Sequence, residues 1–553
     1  MYKPDEIEMR APDCVVIGHN EPQFEQYEAW VRRAYGVESE AYRDLRFNFI
    51  DVGGRKRTYV DLLNDTRSTE GQPPYQSGDI PHMAAAYLTQ FLRRTGFLAE
   101  FVTLFQSESA RLKELLSRKP RCVAITTTLY VVNGPATEVV NFVREHAGDA
   151  AIVVGGPLVA NHSRNYTGGA LEAALRDLGA DYYVIESQGE ATLASLMKIL
   201  RDGGDPAEVP NLAFFRDGRF VRTPPVPENN DLSANGIDWR QLVAPGETHT
   251  IQTRTARSCA FSCAFCNYPT RAGKLAMMDI EAVGRELESI RAIGAVENVI
   301  FIDDTFNVPV RRFKELCRMM IRERFPFNWF SYFRGSNADE EAIDLMAESG
   351  CKGVFLGIES GSASMLKNMV KHAEPAQYVW AVDRLRSAGI LTFASFIVGF
   401  PGETAETVEA TRELVQRVRP DFYRAQLWYN EPGTPIRMQQ DAYRIEGDGF
   451  VWRHKTMSSL EAMDHIDQLF LSISESVWLP QWSFDFWIIP YLFGRGITRA
   501  QFEAWMRHAN ELLRLEIAGI DGPRREALQG SRLRQMSQLM AEQSRPIDLP
   551  LVS

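Results

Sequence analysis

The strongest constraint on this chain's fold is a set of short, continuously apolar runs separated by amphipathic helical stretches. Near the amino end these are Cys14 to Gly18 (CVVIG), a run within Leu98 to Phe105, Cys122 to Thr128 (CVAITTT), Ala151 to Gly156 (AIVVGG) and Tyr182 to Ile185. Helical patterning lies between them, as in Gly134 to His146 and Glu190 to Leu200. A strand covered on one face alternates apolar and polar residues, whereas one covered on both faces does not. The runs therefore predict an α/β fold, with a doubly wound, Rossmann-like parallel sheet over residues 1–225. The stretch from about 205 to 248 looks linker-like and carries a small hairpin, Leu212 to Thr223, turned at Asp217-Gly218. The segment 226–249 reads as a linker.

A second series begins at residue 250. Its strands are predicted at Thr250–Arg254, Val299–Asp303, Asn328–Phe333, Gly353–Ile358, Thr392–Gly399 and Tyr423–Trp428. Six such units suit a partial (β/α)6 barrel over 250–445. Residues 446–553 read as a helical C-terminal domain rich in Trp452, Trp478, Trp482, Phe484, Phe486, Trp487 and Trp505. Core is the plain reading of those aromatics, and a lid over the barrel mouth the sharper one. The polar stretch Asn64 to Pro81 is long for a loop and is expected to fold over the ligand face of the sheet. The tail from Ser531 is expected to fray.

Both architectures gather ligands at the carboxyl ends of their strands. In the amino-terminal sheet those ends carry Thr126, Thr127 and Thr128; Gly155, Gly156 and Pro157; and Glu186, Gln188, Gly189 and Glu190. Tight turns explain any one of these loops. Small and hydroxyl residues at several ends in register suit close approach of a large cofactor.

The loop after the first barrel strand holds Cys259, Cys263 and Cys266, spaced C-x3-C-x2-C. Structural zinc takes four ligands, and the nearest histidines are His249 and His372. Seven cysteines in 553 residues are too few and too odd for a disulfide framework. Three thiolates can hold three irons of a [4Fe–4S] cubane, leaving the fourth iron open. In this spacing the open iron usually takes S-adenosylmethionine. Other strand ends supply partners. Phe265 can pack on an adenine ring, Arg334 can hold a carboxylate in a bidentate way, and Glu359 and Ser360 can accept from ribose or an amino group. Gly399 permits close backbone approach. Asp304 can act as an acid or base, or cap a helix. Asp279 or Glu281 could occupy the open iron, helix capping by Asp279 being the plainer role.

FIDDTF, GIESGS and FIVGFPGET resemble the strand-end motifs of the radical S-adenosylmethionine superfamily, in its cobalamin-binding branch. VVGGP and Gly189-Glu190-Ala-Thr-Leu are similar to loops of that branch's cobalamin domain. VIGHNEPQFEQY, AYRDLRFNFID and AITTTLYV resemble the class B methyltransferases that include the phosphinothricin P-methyltransferase and thiostrepton tryptophan C-methyltransferase group. No D-x-H-x-x-G occurs, which implies a cobalamin held without a protein histidine on cobalt, or a domain that holds none. The resemblance implies methyl transfer from S-adenosylmethionine via methylcobalamin to an unactivated carbon or phosphorus of a natural-product-type substrate, an indole such as tryptophan among them. It leaves open a cobalamin-binding oxidative cyclase or rearrangement enzyme that does not methylate. The implied partners are a small-molecule or peptide substrate and an electron donor such as flavodoxin or ferredoxin. A methylthiotransferase would want three cysteines upstream of the barrel, and only Cys14 and Cys122 lie there.

Net charge is −11, which argues against a nucleic-acid binder. No apolar run approaches the ~20 residues a bilayer span needs, and the amino end lacks an apolar signal core. A cytoplasmic protein is expected.

Overall fold

The computed structural model describes residues 11–67, 73–76, 79–482 and 486–541. Phe484, part of the Asn64 to Pro81 stretch and the tail from 542 lie outside the described residues. The described chain falls into two compact units. One takes the residues within Met1–Pro22, Gly78–Ala244 and Thr270–Ile290, the other those within Gln23–Ser77, Pro245–Pro269 and Arg291–Ser553.

This division differs from boundaries at 225, 249 and 445. The helix Glu40–Arg46 belongs with the second unit because Arg43 and Arg46 pair with Asp467 at 2.7 and 3.0 Å. Asn48 Oδ1 accepts from the backbone of Gln481 and Trp482, and Trp505 Nε1 donates to Thr66 Oγ1 at 3.0 Å. Most of the expected linker is built into the first unit. Asn211 Nδ2 donates to Val226 O, Glu228 accepts from Ala191 N and Thr192 N at the start of helix Glu190–Asp202, and Trp239 is fully buried. Each of these contacts joins residues distant in sequence, which local patterning cannot register.

The first unit's sheet has the strand order Ala99–Leu104, Cys14–His19, Cys122–Thr126, Ala151–Gly155, Tyr182–Val184, Leu212–Arg216, Arg219–Arg222. The first five are parallel and the last two antiparallel, as the hairpin signal predicts. The chain runs outward from Cys14–His19 to one side, then returns to build the other. That order places the topological switch point between Cys14–His19 and Cys122–Thr126. Val15, Ile17, Val123, Ile125, Ile152 and Val154 form the buried centre between helices, which accounts for their unbroken apolarity.

The second unit's sheet is parallel throughout: Thr250–Thr253, Asn298–Phe301, Asn328–Phe333, Cys351–Glu359, Leu391–Val398, Phe422–Leu427 and a short Val477–Trp478. Of the C-terminal aromatics, Trp452, Trp478, Phe486 and Trp505 are buried core, and Trp482 and Trp487 are half-buried. The helix Ile488–Gly494 lies at the strands' amino ends, where Thr250 and Asn298 donate to Pro490 O. Ahead of it Phe486 reaches the inner face of the barrel, stacking on Phe393 at 6.0 Å and meeting Phe355 and Phe330 edge-on. The segment plugs the floor of the barrel; its mouth lies at the other end. The C-terminal region is not wholly helical, since Glu446–Asp448, Val451–His454 and Met457–Ser458 form an antiparallel sheet. The helix Pro523–Ala541 runs through the stretch expected to fray, held by buried Met536 and Met540.

Gly399 ends the fifth barrel strand at φ 90°, and a Cβ there would strike the Trp452 ring and Ala462. Its missing side chain is thus demanded by Trp452. Gly399→Ala is expected to cost on the order of 3 kcal/mol, from left-handed strain plus overpacking. Urea unfolding of the purified variant measures it.

Candidate active site

The cysteine loop is fastened on several sides. The Asp303 carboxylate, beyond the second strand, accepts from Thr255 N at 2.9 Å and from Ala256 N. Arg312 donates to Thr255 Oγ1 at 3.1 Å and to Thr255 O at 3.2 Å. Ala264 N donates to Met369 O and Ile436 N to Ala264 O, both at 2.9 Å. Asn267 Nδ2 donates to Glu431 at 2.5 Å, and Ser258, at φ 72°, donates its N–H to the Tyr268 hydroxyl. Three later βα loops therefore hold the strand-one loop at the carboxyl ends of the strands.

Among the described residues no group of three His, Cys, Asp or Glu side chains converges to hold a single metal ion. Three cysteines bound to three different irons of a cubane need not converge, so the donor set fits a cluster better than a lone zinc. Burial pushes the Cys266 thiol up to about 11, with Asp304, Cys263 and Cys259 adding to the effect. Ligation to iron would take the place of that proton. Cys259 Sγ lies 3.6 Å from Thr305 Oγ1.

Arg334 is buried at the end of the third strand, its guanidinium 3.5 Å from the centre of the Phe261 ring in the cysteine loop. Asn307 brackets its backbone through both N–H and C=O. Nε and Nη2 of Arg334 are buried with no acceptor among the described residues, as donors prepared for an anionic ligand would be. Glu359 stands at φ 70°, an uncommon conformation for a non-glycine residue, at a register shift in the fourth strand. It pairs at 2.9 Å with buried Lys371. Lys371 lies 5.6 Å from the centre of the Phe265 ring, and the charge of Cys263 acts on it. Phe265 also meets Phe400 edge-on.

Other expected residues have different employment. Asp304 is exposed and precedes no helix directly, the next being Val310–Arg322, so capping is not its role. Asp303 is the buried acid, pushed up to about 6 by burial against the opposing pull of the Thr255 N–H and Arg312. Ser360 Oγ contacts Thr411 Oγ1 at 3.3 Å and accepts from Ser362 N, fastening its own loop. Asp279 immediately precedes the helix Ile280–Arg291 and, like Glu281, is exposed. Patterning did not single out Asp303, Lys371 or Phe261. The doubled acid of Ile-Asp-Asp was the available signal for the first, and nothing local marks the other two.

In the first unit, Thr126 Oγ1 donates to Gly18 O at 2.8 Å across the switch point. Thr127 Oγ1 donates to Gly155 O at 2.8 Å and accepts from Leu158 N, at the start of the helix Pro157–Asn165. These hydroxyls join strand ends. Thr128 is exposed and opens a loop in which Leu129 and Val131 are 60% and 84% exposed. A Cβ on Gly155 would crowd Val184 at 3.1 Å, and Gly156, at φ 104°, lies against Thr127 N. A Cβ on Gly189 would strike Val184. Glu186 accepts from Ser187 N, Glu190 accepts from Asn230, and Gln188 Oε1 is buried with no partner among the described residues. His19 ends the first strand beside Tyr130, at 5.1 Å between ring centres, with Nδ1 buried and without a partner among the described residues. Burial lowers its pKa to about 4. Small loops, exposed aliphatics and an unpartnered ring nitrogen at a switch point fit a large cofactor bound along this edge.

Residues 253–415 match the model of the radical SAM superfamily, so the chain carries a radical SAM domain. The chain is 27% identical over 369 residues to an uncharacterized methyltransferase of Pyrococcus horikoshii, covering 64% of this chain and 77% of that protein. It is 26% identical over 365 residues to the anaerobic magnesium-protoporphyrin IX monomethyl ester cyclase of Rubrivivax gelatinosus, covering 63% of this chain and 64% of that one. Its fold is shared with the radical S-adenosylmethionine methyltransferase TsrM of Kitasatospora setae, solved with cobalamin and a [4Fe–4S] cluster. There the TM-score is 0.57 at 20% identity, over 84% of this chain and 97% of that one. No described helix is long and apolar enough to cross a membrane.

Removing one member of the buried Lys371–Glu359 pair strands the other. Lys371→Met is expected to cost about 3–5 kcal/mol, with most of the loss recovered in Lys371→Met/Glu359→Leu. Denaturant unfolding of the single and double variants measures this. Asp303→Leu, which removes the acceptor for Thr255 N and Ala256 N, is expected to lower iron retained after reconstitution by more than half while circular dichroism stays near wild type.

Proposed function

We propose that this protein is a cobalamin-dependent radical S-adenosylmethionine methyltransferase of the cytoplasm. The observation that carries the reading is the C-x3-C-x2-C loop, fastened at the carboxyl ends of a radical SAM barrel, in one chain with a 2-1-3-4-5 parallel sheet whose switch point is lined for a large ligand. When bound, the cluster and S-adenosylmethionine supply radical generation, and cobalamin supplies methyl carriage.

Cys259, Cys263 and Cys266 would hold the cluster. Arg334, fixed by Phe261 and Asn307, directs two unpartnered N–H groups suited to the carboxylate of S-adenosylmethionine. Glu359 is held by Lys371 close to the same loop, where its free lone pairs can accept from an ammonium or ribose. Phe265 offers a ring for the adenine. The loops at Gly18–Asn20, Thr126–Val132, Gly155–Pro157 and Glu186–Glu190 would hold cobalamin. The electron donor is a flavodoxin or ferredoxin, and the methyl acceptor a small molecule or peptide. The described relatives include both a methyltransferase and a cyclase, so the product decides.

Anaerobic turnover of the reconstituted protein with trideuteromethyl-labelled S-adenosylmethionine, supplied with cobalamin and a low-potential reductant, is expected to yield a product heavier by the intact labelled methyl group. Cys263→Ala is expected to abolish it. An unlabelled, oxidised or rearranged product would replace this reading with that of a non-methylating enzyme.

A further inference from the structure

The small antiparallel sheet of Glu446–Asp448, Val451–His454 and Met457–Ser458 is separate from the barrel's own sheet, yet it is tied to the barrel mouth within the same unit. Asn430 exchanges backbone hydrogen bonds with Gly449 at 2.9 and 3.1 Å, and its Nδ2 donates to Gly447 O at 2.8 Å. Arg437 Nη1 donates to Gly447 O at 3.3 Å. The stretch between them grips the cysteine loop, Glu431 accepting from Asn267 and Ile436 N donating to Ala264 O. From the next strand of the same sheet, His454 reaches the end of the fifth barrel strand, where its Nε2 bonds Gly399 O at 3.1 Å.

A carbonyl oxygen only accepts, so the imidazole proton is assigned to Nε2. Nδ1 is then the acceptor, and Thr456 serves it with a hydroxyl at 3.2 Å and an N–H at 3.4 Å. Burial lowers the pKa of His454 against the pull of the Gly399 carbonyl and of Glu461, which favours this neutral form. The ring lies flat on Trp452, 5.3 Å between centres and 5° between planes. Trp452 is the ring that leaves no room for a Cβ on Gly399. A glycine at φ 90° has wide conformational freedom and no side chain to anchor it. Here both of its polar groups are held by other side chains, the N–H by Glu403 and the C=O by His454, as Asn307 holds Arg334. The next residue, Phe400, meets Phe265 of the cysteine loop edge-on at 6.4 Å and Trp428 at 5.7 Å. The direction of the Gly399–Phe400 peptide therefore sets where Phe400 stands against Phe265.

We propose that His454 is a positioning residue for the S-adenosylmethionine site. Its Nε2–H fixes the Gly399 carbonyl, and through it the Gly399–Phe400 turn that backs Phe265, the ring offered to adenine. The sheet that carries His454 also braces the cysteine loop, so turn and loop keep one spacing. This deepens the S-adenosylmethionine reading and rests on it, whatever becomes of the methyl group.

The test is equilibrium dialysis of S-adenosylmethionine against the anaerobically reconstituted full chain, with iron counted per chain. His454→Phe keeps a ring on Trp452 and removes the donor. His454→Gln removes the ring and keeps an N–H near the Nε2 position. His454→Phe is expected to weaken binding about tenfold or more, as a stranded buried carbonyl implies, and His454→Gln to stay within about threefold of wild type. Iron per chain should not change in either. Wild-type affinity in folded His454→Phe, weakening by His454→Gln as large as by His454→Phe, or iron lost in step with affinity would overturn the proposal. Should His454→Phe fail to fold, His454→Gln decides, near-wild-type affinity supporting the donor role and a loss of about tenfold ending it. A wild-type chain that holds its cluster but binds no S-adenosylmethionine would overturn the underlying reading itself, a result distinct from every variant outcome.

Discussion

A single buried carboxylate organises the barrel mouth. Asp303 accepts the N–H groups of Thr255 and Ala256, which lead from the first strand into the cysteine loop, and so ties the second strand's end to the backbone that carries Cys259. Burial raises the carboxyl's pKa to about 6, against the downward pull of the Thr255 and Ala256 N–H groups and of Arg312. Ion, acceptor and loop conformation therefore stand or fall together. The bonds from Met369, Glu431 and Ile436 complete a frame in which the cysteine positions follow from three distant stretches of chain.

The same economy recurs at Glu359. Its left-handed backbone would be unfavourable in isolation, and the buried contact with Lys371 fixes the side chain beside the cysteine loop. Local strain held by surrounding contacts is characteristic of places where side-chain direction matters more than stability. Arg334 follows a related pattern, its backbone clamped by Asn307 and its guanidinium laid on Phe261, with two donors unspent.

The sequence made the sheets legible because each strand is covered on both faces, so apolar runs such as CVVIG and AIVVGG need no alternation. The helix Gly134–His146 begins and ends where its pattern does. The cysteine spacing and the strand-end positions of Arg334 and Glu359 were readable for the same reason: they lie next to strongly patterned strands. What escaped was long-range pairing. Nothing near Arg43 indicates Asp467, nothing near Asn48 indicates Trp482, and so residues 23–67 read as part of the first sheet's domain. Gly399 was legible as a glycine but not in its reason, since Trp452 lies fifty-three residues on. Of the three threonines from Thr126 to Thr128, the first two also bridge strand ends, a second use that their spacing does not announce.

The central claim is that the cysteine loop carries a cubane with one iron open to S-adenosylmethionine. Mössbauer and electron paramagnetic resonance spectroscopy of iron-57-reconstituted protein, with and without S-adenosylmethionine, addresses it most directly. About four irons and four sulfides per chain are expected, as a [4Fe–4S] cluster requires, with a change in the reduced cluster's spectrum when S-adenosylmethionine is added. A single tightly held zinc, or a cluster whose spectrum is indifferent to S-adenosylmethionine, would contradict it.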